Sequence, residues 1–184
     1  MRPFRLDVPD AVLADLRERL GRARWPDEPP GAGWRYGTSL AYLRELVAYW
    51  RDRYDWRAHE ARLNAFRQFT VPLAGIDLHF IHHPGVGPEP LPLLLSHGWP
   101  GSVWEFHKLI PRLTDPASFG GDPADAFTVV APSLPGYSLS FAPGQPRFES
   151  RSMRGRISVS AASRSCGKSI SIQGSPSVGQ AAKG

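Results

Sequence analysis

The fold of this chain is decided by six residues near its middle, His97-Gly98-Trp99-Pro100-Gly101-Ser102. The apolar run before them, residues 91–96, predicts a short buried strand of a parallel sheet. Apolar side chains follow at helical spacing, at Val103, Phe106, Ile110 and Leu113. We therefore predict a glycine-rich turn between the carboxyl end of a strand and the start of a helix, where open α/β sheets bind their ligands.

The residue types in this turn suit both a structural and a chemical role. Ser102 and Glu105 fit a capping box, with the serine as N-cap and the glutamate at the third helical position. Gly98 and Gly101 allow the backbone to turn sharply and to approach a ligand closely. Backbone N–H groups in such a turn can face developing negative charge, as in an oxyanion hole. A tight connection without chemistry explains the same residues, so the turn alone leaves both interpretations open.

The net charge of +5 resides at the end of the chain. From Ser150 onward six residues are basic and none is acidic, whereas sixteen basic and seventeen acidic residues precede it. A basic segment can contact nucleic acid or a membrane, but most such segments are simply solvated. We therefore expect no nucleic-acid partner.

Other sequence features exclude several classes of protein. No apolar run reaches about 18 residues, and the N-terminus lacks an apolar signal region, so we expect no membrane span and no secretion signal. The single cysteine, Cys166, excludes an internal disulfide and favours a cytoplasmic location. Four histidines lie close in sequence without the spacing of metal ligands, so we expect neither a metal nor another cofactor. They are His79, His82, His83 and His97.

Residues 1–68 predict a helical meander. Helices are expected over residues 9–25 and 39–50, and a third is expected to begin after Asp55, which can cap it. Val12, Leu13, Leu16 and Leu20 are expected to line one face of the first helix. Trp34 and Tyr36 lie in the irregular stretch between the first two helices, where we expect them to anchor it onto a core.

Residues 69–148 predict part of an α/β core. Two strands flank Ala74-Gly75 and predict a hairpin. Residues 127–131 predict the next buried strand, which a right-handed parallel crossover connects to the strand before the turn. The loop 132–138 is expected at the same sheet edge as the six-residue turn. A parallel sheet normally needs both faces covered, and we expect a bare, aggregation-prone edge beside Phe127–Ala131.

Residues 149–184 differ in character from the rest. Serine and arginine recur, aromatic residues are absent and large apolar residues are few. Such a segment cannot bury enough surface to offset its chain entropy, so we predict a disordered tail.

Several segments, in the same order, resemble the N-terminal region of an epoxide hydrolase of the microsomal type, within the α/β-hydrolase superfamily. Residues 49–69 resemble that family's N-terminal meander, and residues 75–82 resemble the strand after it. The six-residue turn resembles the family's HGWPGS oxyanion segment, and residues 132–137 resemble its next loop. The resemblance covers residues 3–146 and implies an N-terminal helical meander followed by an incomplete α/β-hydrolase fold.

The resemblance implies hydrolysis of small-molecule epoxides to diols in two steps. A carboxylate opens the epoxide ring to form an ester, and water activated by a His–acid pair then cleaves that ester. The backbone N–H of Trp99 would be one oxyanion donor. His97, Gly98, Pro100 and Gly101 would support the turn.

The sequence also departs from the family's pattern. The family has a Gly-Gly-Asp-Trp-Gly turn that carries the nucleophile, and this sequence has none. No Asp, Glu or His follows Glu149. We therefore expect a truncated, inactive family member, with an out-of-frame tail as one explanation. The alternative is a non-catalytic interaction module whose missing half comes from a partner chain, and reading the other frames of the gene would distinguish the two.

Overall fold

A computed structural model of the chain describes residues 1–145. The predicted tail, residues 149–184, and the last residues of the predicted core lie outside this range. The chain forms two compact units. A helical unit comprises Leu6–Ala61, and a sheet unit comprises Met1–Arg5 together with the described residues from Arg62 onward.

The three helices predicted for the first part of the chain are confirmed. They are α1 (Asp10–Gly21), α2 (Leu40–Asp52) and α3 (Trp56–Asn64). The Asp55 carboxylate accepts a hydrogen bond from the Ala58 N–H at 3.0 Å, as expected of a helix cap.

The predicted anchoring of the segment between α1 and α2 is wrong. Trp34 and Tyr36 are 63% and 72% exposed, and Trp34 instead packs against Tyr42 at the surface, with ring centroids 5.1 Å apart. Val12 is exposed as well, whereas Leu13 on the same helix is buried. The helical unit has too few inward-facing apolar side chains to form a core into which these aromatic rings could insert.

The sheet unit contains five strands in the order β1-β2-β3-β5-β4. They are β1 (Arg2–Phe4), β2 (Gln68–Leu73), β3 (Ile76–His83), β4 (Leu91–Leu94) and β5 (Phe127–Pro132). The β2–β3 hairpin is confirmed, and Ala74 and Gly75 both adopt positive φ at its turn. The predicted parallel pairing is confirmed between β4 and β5, while the other pairs are antiparallel.

The prediction that β4 is buried is wrong. Within the described residues β4 forms the edge of the sheet, and Leu91 is 63% exposed. The strand β5 pairs with β3 on one side and β4 on the other, so the bare edge lies at β4 and not beside Phe127–Ala131. The connection after β4 returns the chain so that β5 lies between β3 and β4. The order of strands along the sequence does not predict this position.

The apolar face after the six-residue turn is confirmed, but it spans two short elements and not one helix. A 3₁₀ turn comprises Val103–Phe106, and α4 comprises Leu109–Thr114. Val103 and Ile110 are buried in a cluster with side chains of the sheet. Between residues 1 and 145, no helix is long and apolar enough to cross a bilayer.

Candidate functional site

The six-residue turn begins just past the end of β4 and has the predicted capping box. The Ser102 hydroxyl accepts from the Trp104 N–H at 3.2 Å, and the Glu105 carboxylate accepts from the Ser102 N–H at 3.1 Å. The Gly101 N–H donates to the Gly98 carbonyl at 2.7 Å. These bonds fix both ends of the turn.

Gly101 has a packing reason to be glycine, and Gly98 does not. A Cβ atom on Gly101 would lie 1.7 Å from the Glu105 carboxylate and 2.8 Å from the Gly98 carbonyl oxygen. A Cβ atom on Gly98 would meet open space. The capping box therefore requires Gly101, whereas close approach of a ligand to Gly98 stays a prediction.

His97 joins the turn to the loop after β5. The buried ring accepts at Nε2 from the Leu134 N–H at 3.0 Å, so Nε2 carries no proton. The Nδ1 atom then carries it and donates to the Gly98 carbonyl at 3.1 Å. The Tyr137 ring packs against the same imidazole in a T-shaped arrangement, with centroids 5.3 Å apart. The prediction that the two loops share one sheet edge is confirmed.

The outer face of the turn is open to solvent. The Trp99 side chain is 82% exposed, and Gly98 and Pro100 beside it are exposed as well. The Trp99–Pro100 peptide bond is cis. The location suits a group that meets a ligand, while the role of the Trp99 N–H as an oxyanion donor stays a prediction.

A second polar cluster, which the sequence did not predict, lies in the core of the sheet unit. His79 is fully buried, with Nδ1 2.9 Å from the Ser133 hydroxyl and Nε2 2.9 Å from the Gln68 side-chain oxygen. Burial lowers the pKa of His79 to about 4, so the ring is neutral near pH 7. The sequence signal was a polar residue flanked by large apolar ones, His79 between Leu78 and Phe80.

The serine–histidine pair in this cluster has the spacing of a nucleophile and its base, but it cannot reach a substrate. Ser133 and His79 are both 0% exposed. The pair is therefore a satisfied polar group of the core.

The other histidines near the sheet do not join His97. Burial lowers the pKa of both His82 and His83, and the charge of Arg67 lowers both further. Within residues 1–145, no three His, Cys, Asp or Glu side chains are grouped to hold a metal ion.

Comparison with known proteins assigns the chain to a family. Residues 1–106 match the sequence model of the family described as "Epoxide hydrolase N terminus". The chain therefore belongs to the epoxide hydrolase family, and its sheet and helices form part of an α/β-hydrolase fold.

Individual relatives agree with this assignment. The chain is 51% identical over 143 residues to a Stigmatella aurantiaca protein named "Putative epoxide hydrolase", covering 78% of this chain and 32% of the relative. It is 40% identical over 154 residues to epoxide hydrolase 1 of Oryctolagus cuniculus, covering 82% and 34% of the two chains. The chain thus spans about a third of the length of these relatives.

Solved structures show the same partial coverage. The Aspergillus niger epoxide hydrolase aligns with a TM-score of 0.67 at 32% identity, over 77% of this chain and 37% of that one. The juvenile hormone epoxide hydrolase of Bombyx mori aligns with a TM-score of 0.66 at 33% identity, over 80% and 39%.

Proposed function

We propose that this chain carries the N-terminal meander and one half of the oxyanion cradle of an enzyme that hydrolyses epoxides to diols. One observation supports this role most directly. The Gly98 carbonyl accepts from both the Gly101 N–H and His97 Nδ1. In a trans peptide unit the carbonyl and the next N–H point in opposite directions. Holding the Gly98 carbonyl inward therefore directs the Trp99 N–H away from His97, toward the exposed face of the turn.

The proposed chemistry explains why a fixed N–H group is useful there. A carboxylate opens the epoxide and forms an ester, and water activated by a His–acid pair attacks the ester carbonyl. Negative charge develops on the carbonyl oxygen during this attack. A backbone donor that is already oriented stabilises the charge without reorganising.

The chain by itself is proposed to lack turnover. The 184 residues contain no Gly-Gly-Asp-Trp-Gly turn, and no Asp, Glu or His follows Glu149. Neither the attacking carboxylate nor the base that activates water is therefore assigned to any residue of this chain. The single Cys166 supports a reducing, cytoplasmic location as part of the same proposal.

A hybrid enzyme tests the oxyanion role. Residues 1–145 would replace the matching segment of the Stigmatella aurantiaca relative, and hydrolysis of styrene oxide would be measured. The Trp99→Pro variant removes the N–H and is expected to lower kcat about 100-fold or more. Trp99→Ala keeps the N–H and serves as the matched control, with a much smaller loss.

Two outcomes would contradict the proposal. Equal kcat in the hybrid and its Trp99→Pro variant would remove the oxyanion role. Turnover of styrene oxide by the purified 184-residue chain alone would contradict the proposed inactivity.

A second candidate is a non-catalytic module that pairs with a separate chain. Among the described residues β4 is an edge strand, which favours this candidate because an added strand can pair with an edge strand. Mixing this chain with the separately produced remainder of the relative distinguishes the candidates. Activity that appears on mixing supports a complementing partner, whereas activity only in the fused hybrid counts against one.

A further inference from the structure

The turn that holds Trp99 is connected to the core by an unbroken series of hydrogen bonds. The series begins at Ser140, which is 1% exposed. The Ser140 hydroxyl accepts from the His79 N–H at 2.9 Å and donates to the Ser133 carbonyl at 2.7 Å. The Ser140 hydroxyl proton is therefore used in the hydrogen bond to the Ser133 carbonyl.

The next link is the peptide unit between Ser133 and Leu134. Its carbonyl is held by Ser140, so its N–H points the opposite way, and it donates to His97 Nε2 at 3.0 Å. His97 continues the series in the same donor-to-acceptor direction, since its Nδ1 donates to the Gly98 carbonyl at 3.1 Å. The peptide unit between Gly98 and Trp99 then presents its N–H at the exposed face.

The donors in this series all point the same way, from Ser140 to Trp99. Hydrogen bonds aligned head to tail polarise one another, and a low local dielectric strengthens the effect. His97 is 3% exposed and Ser133 is 0% exposed, so water does not interrupt the first links.

We propose that Ser140 is a positioning residue for the oxyanion turn, acting through the Ser133–Leu134 peptide and His97 on the Trp99 N–H. Ser140 touches no substrate. It sets the tautomer and orientation of His97. Through His97 it sets the direction and strength of the Trp99 N–H as a donor. The link to an oxyanion rests on the proposed function, whereas the link from Ser140 to His97 does not.

The cluster around His79 supports the start of the series. The Gln68 amide nitrogen donates to the Leu63 carbonyl at 3.0 Å, so its oxygen faces His79 and accepts from Nε2. His79 Nδ1 is then an acceptor, and the Ser133 hydroxyl donates to it. Two buried residues thus bind Ser133: His79 accepts from its hydroxyl, and Ser140 donates to its carbonyl.

The experiment measures hydrogen exchange and histidine nitrogen shifts in the full 184-residue chain. Ser140→Ala is expected to speed exchange of the Leu134 amide about three- to tenfold relative to the His82 amide of β3, which donates to the Arg67 carbonyl at 2.8 Å. The ¹⁵N shifts of the His97 ring are expected to move from a pure Nδ1–H tautomer toward a mixture of both.

Two further variants separate positioning from general stability. Ser140→Thr keeps the hydroxyl and is expected to restore the His97 shifts. Thr114→Val removes a buried hydroxyl that donates to the Ile110 carbonyl at 2.9 Å, outside the series. It is expected to leave the His97 shifts unchanged and to affect the Leu134 and His82 amides equally.

Unchanged His97 shifts in Ser140→Ala would overturn the proposal. Equal acceleration of the Leu134 and His82 amides in that variant would overturn it too, since this is the result of a purely structural role. Neither readout uses an epoxide, so failure here is distinguishable from failure of the hybrid enzyme.

Discussion

The sheet unit and the helical unit are stabilised by different interactions. In the sheet unit, large apolar side chains such as Phe80, Ile81 and Val129 are at most 1% exposed. In Leu6–Ala61, Leu13 is the one buried apolar side chain, and α2 has no buried residue at all. Full apolar burial is therefore concentrated in the sheet unit, whereas most apolar side chains of the helical unit are partly buried or exposed.

In the helical unit, directional polar contacts converge on one buried side chain, Glu60. The Glu60 carboxylate accepts from the Val8 N–H at 2.8 Å, from Trp56 Nε1 at 3.2 Å and from Arg57 at 2.6 Å. One buried acidic side chain thus ties the segment before α1 to α3. Equally regular helices and strands can therefore differ in whether apolar or polar side chains make their buried contacts.

The largest expected difference comes from truncating one aromatic side chain in each unit. Phe80→Ala creates a cavity in the sheet core and is expected to cost about 3–5 kcal/mol of unfolding free energy. Tyr49→Ala removes a half-exposed ring from α2 and is expected to change it by no more than about 0.5 kcal/mol. Urea unfolding of both variants measures the difference, and similar costs would show that the two units do not differ in apolar packing.

The next effect is a pH dependence of the sheet unit. The pKa of His79 is lowered to about 4 by burial, so between that value and about 6.5 the unfolded chain binds more protons than the folded one. Stability from the neutral ring is fully present above about pH 6.5 and is lost toward pH 4, by about 3 kcal/mol. Denaturant midpoints from pH 7 to 5 measure it, and His79→Gln should flatten the curve. An unchanged slope in that variant would assign the pH dependence to other groups.

A smaller effect is expected at the polar centre of the helical unit. Hydrogen bonds from the Val8 N–H, Arg57 and Trp56 lower the pKa of Glu60, so the carboxylate stays ionised until well into the acid range and its contribution is lost only there. Glu60→Ala leaves these donors without their acceptor and is expected to cost about 1–3 kcal/mol. Exchange of the Val8 amide measures the loss.

Asp52→Asn is the matched control for that variant. It breaks an exposed ion pair with Arg51, which solvent screens, and is expected to change stability much less than Glu60→Ala does. Equal losses in the two variants would show that Glu60 has no special role.

The smallest change in stability, but a clear change in association, is expected at the β4 edge. Leu91→Lys places a charge on the open edge and is expected to reduce self-association in light scattering, with stability unchanged within about 0.5 kcal/mol. Val86→Lys adds the same charge at another exposed position, in the loop before β4. If both lysines reduce scattering equally, net charge and not the edge is responsible.

Local features were predicted well because short stretches of chain specify them. The Asp55 cap, the Ser102–Glu105 box and the hairpin at Ala74-Gly75 each depend on residues within a few positions of one another. The candidate turn was found for the same reason. Its family resemblance extended the prediction to the fold, which the comparisons then confirmed.

Individual contacts between residues distant in sequence were not predicted, because no short stretch of chain specifies them. The first N–H of α2, at Leu40, is bound by the carboxylate of Glu28, although Ser39 occupies the capping position. The edge position of β4 depends on where the crossover returns. Neither has a signature in the neighbouring sequence.

The amino-acid sequence alone indicated the family, the order of the helices and strands from α1 to β5 and the turn at His97–Ser102, but not the strand β1. It did so because periodicity, capping residues and glycines act over one or two turns of backbone. Only the three-dimensional structure shows that His97 accepts from the Leu134 N–H, thirty-seven positions away, and that Ser140 donates to the carbonyl of the same peptide unit. Such contacts depend on how separate strands are brought together, and the direction of each peptide N–H is fixed only when its partner is in place.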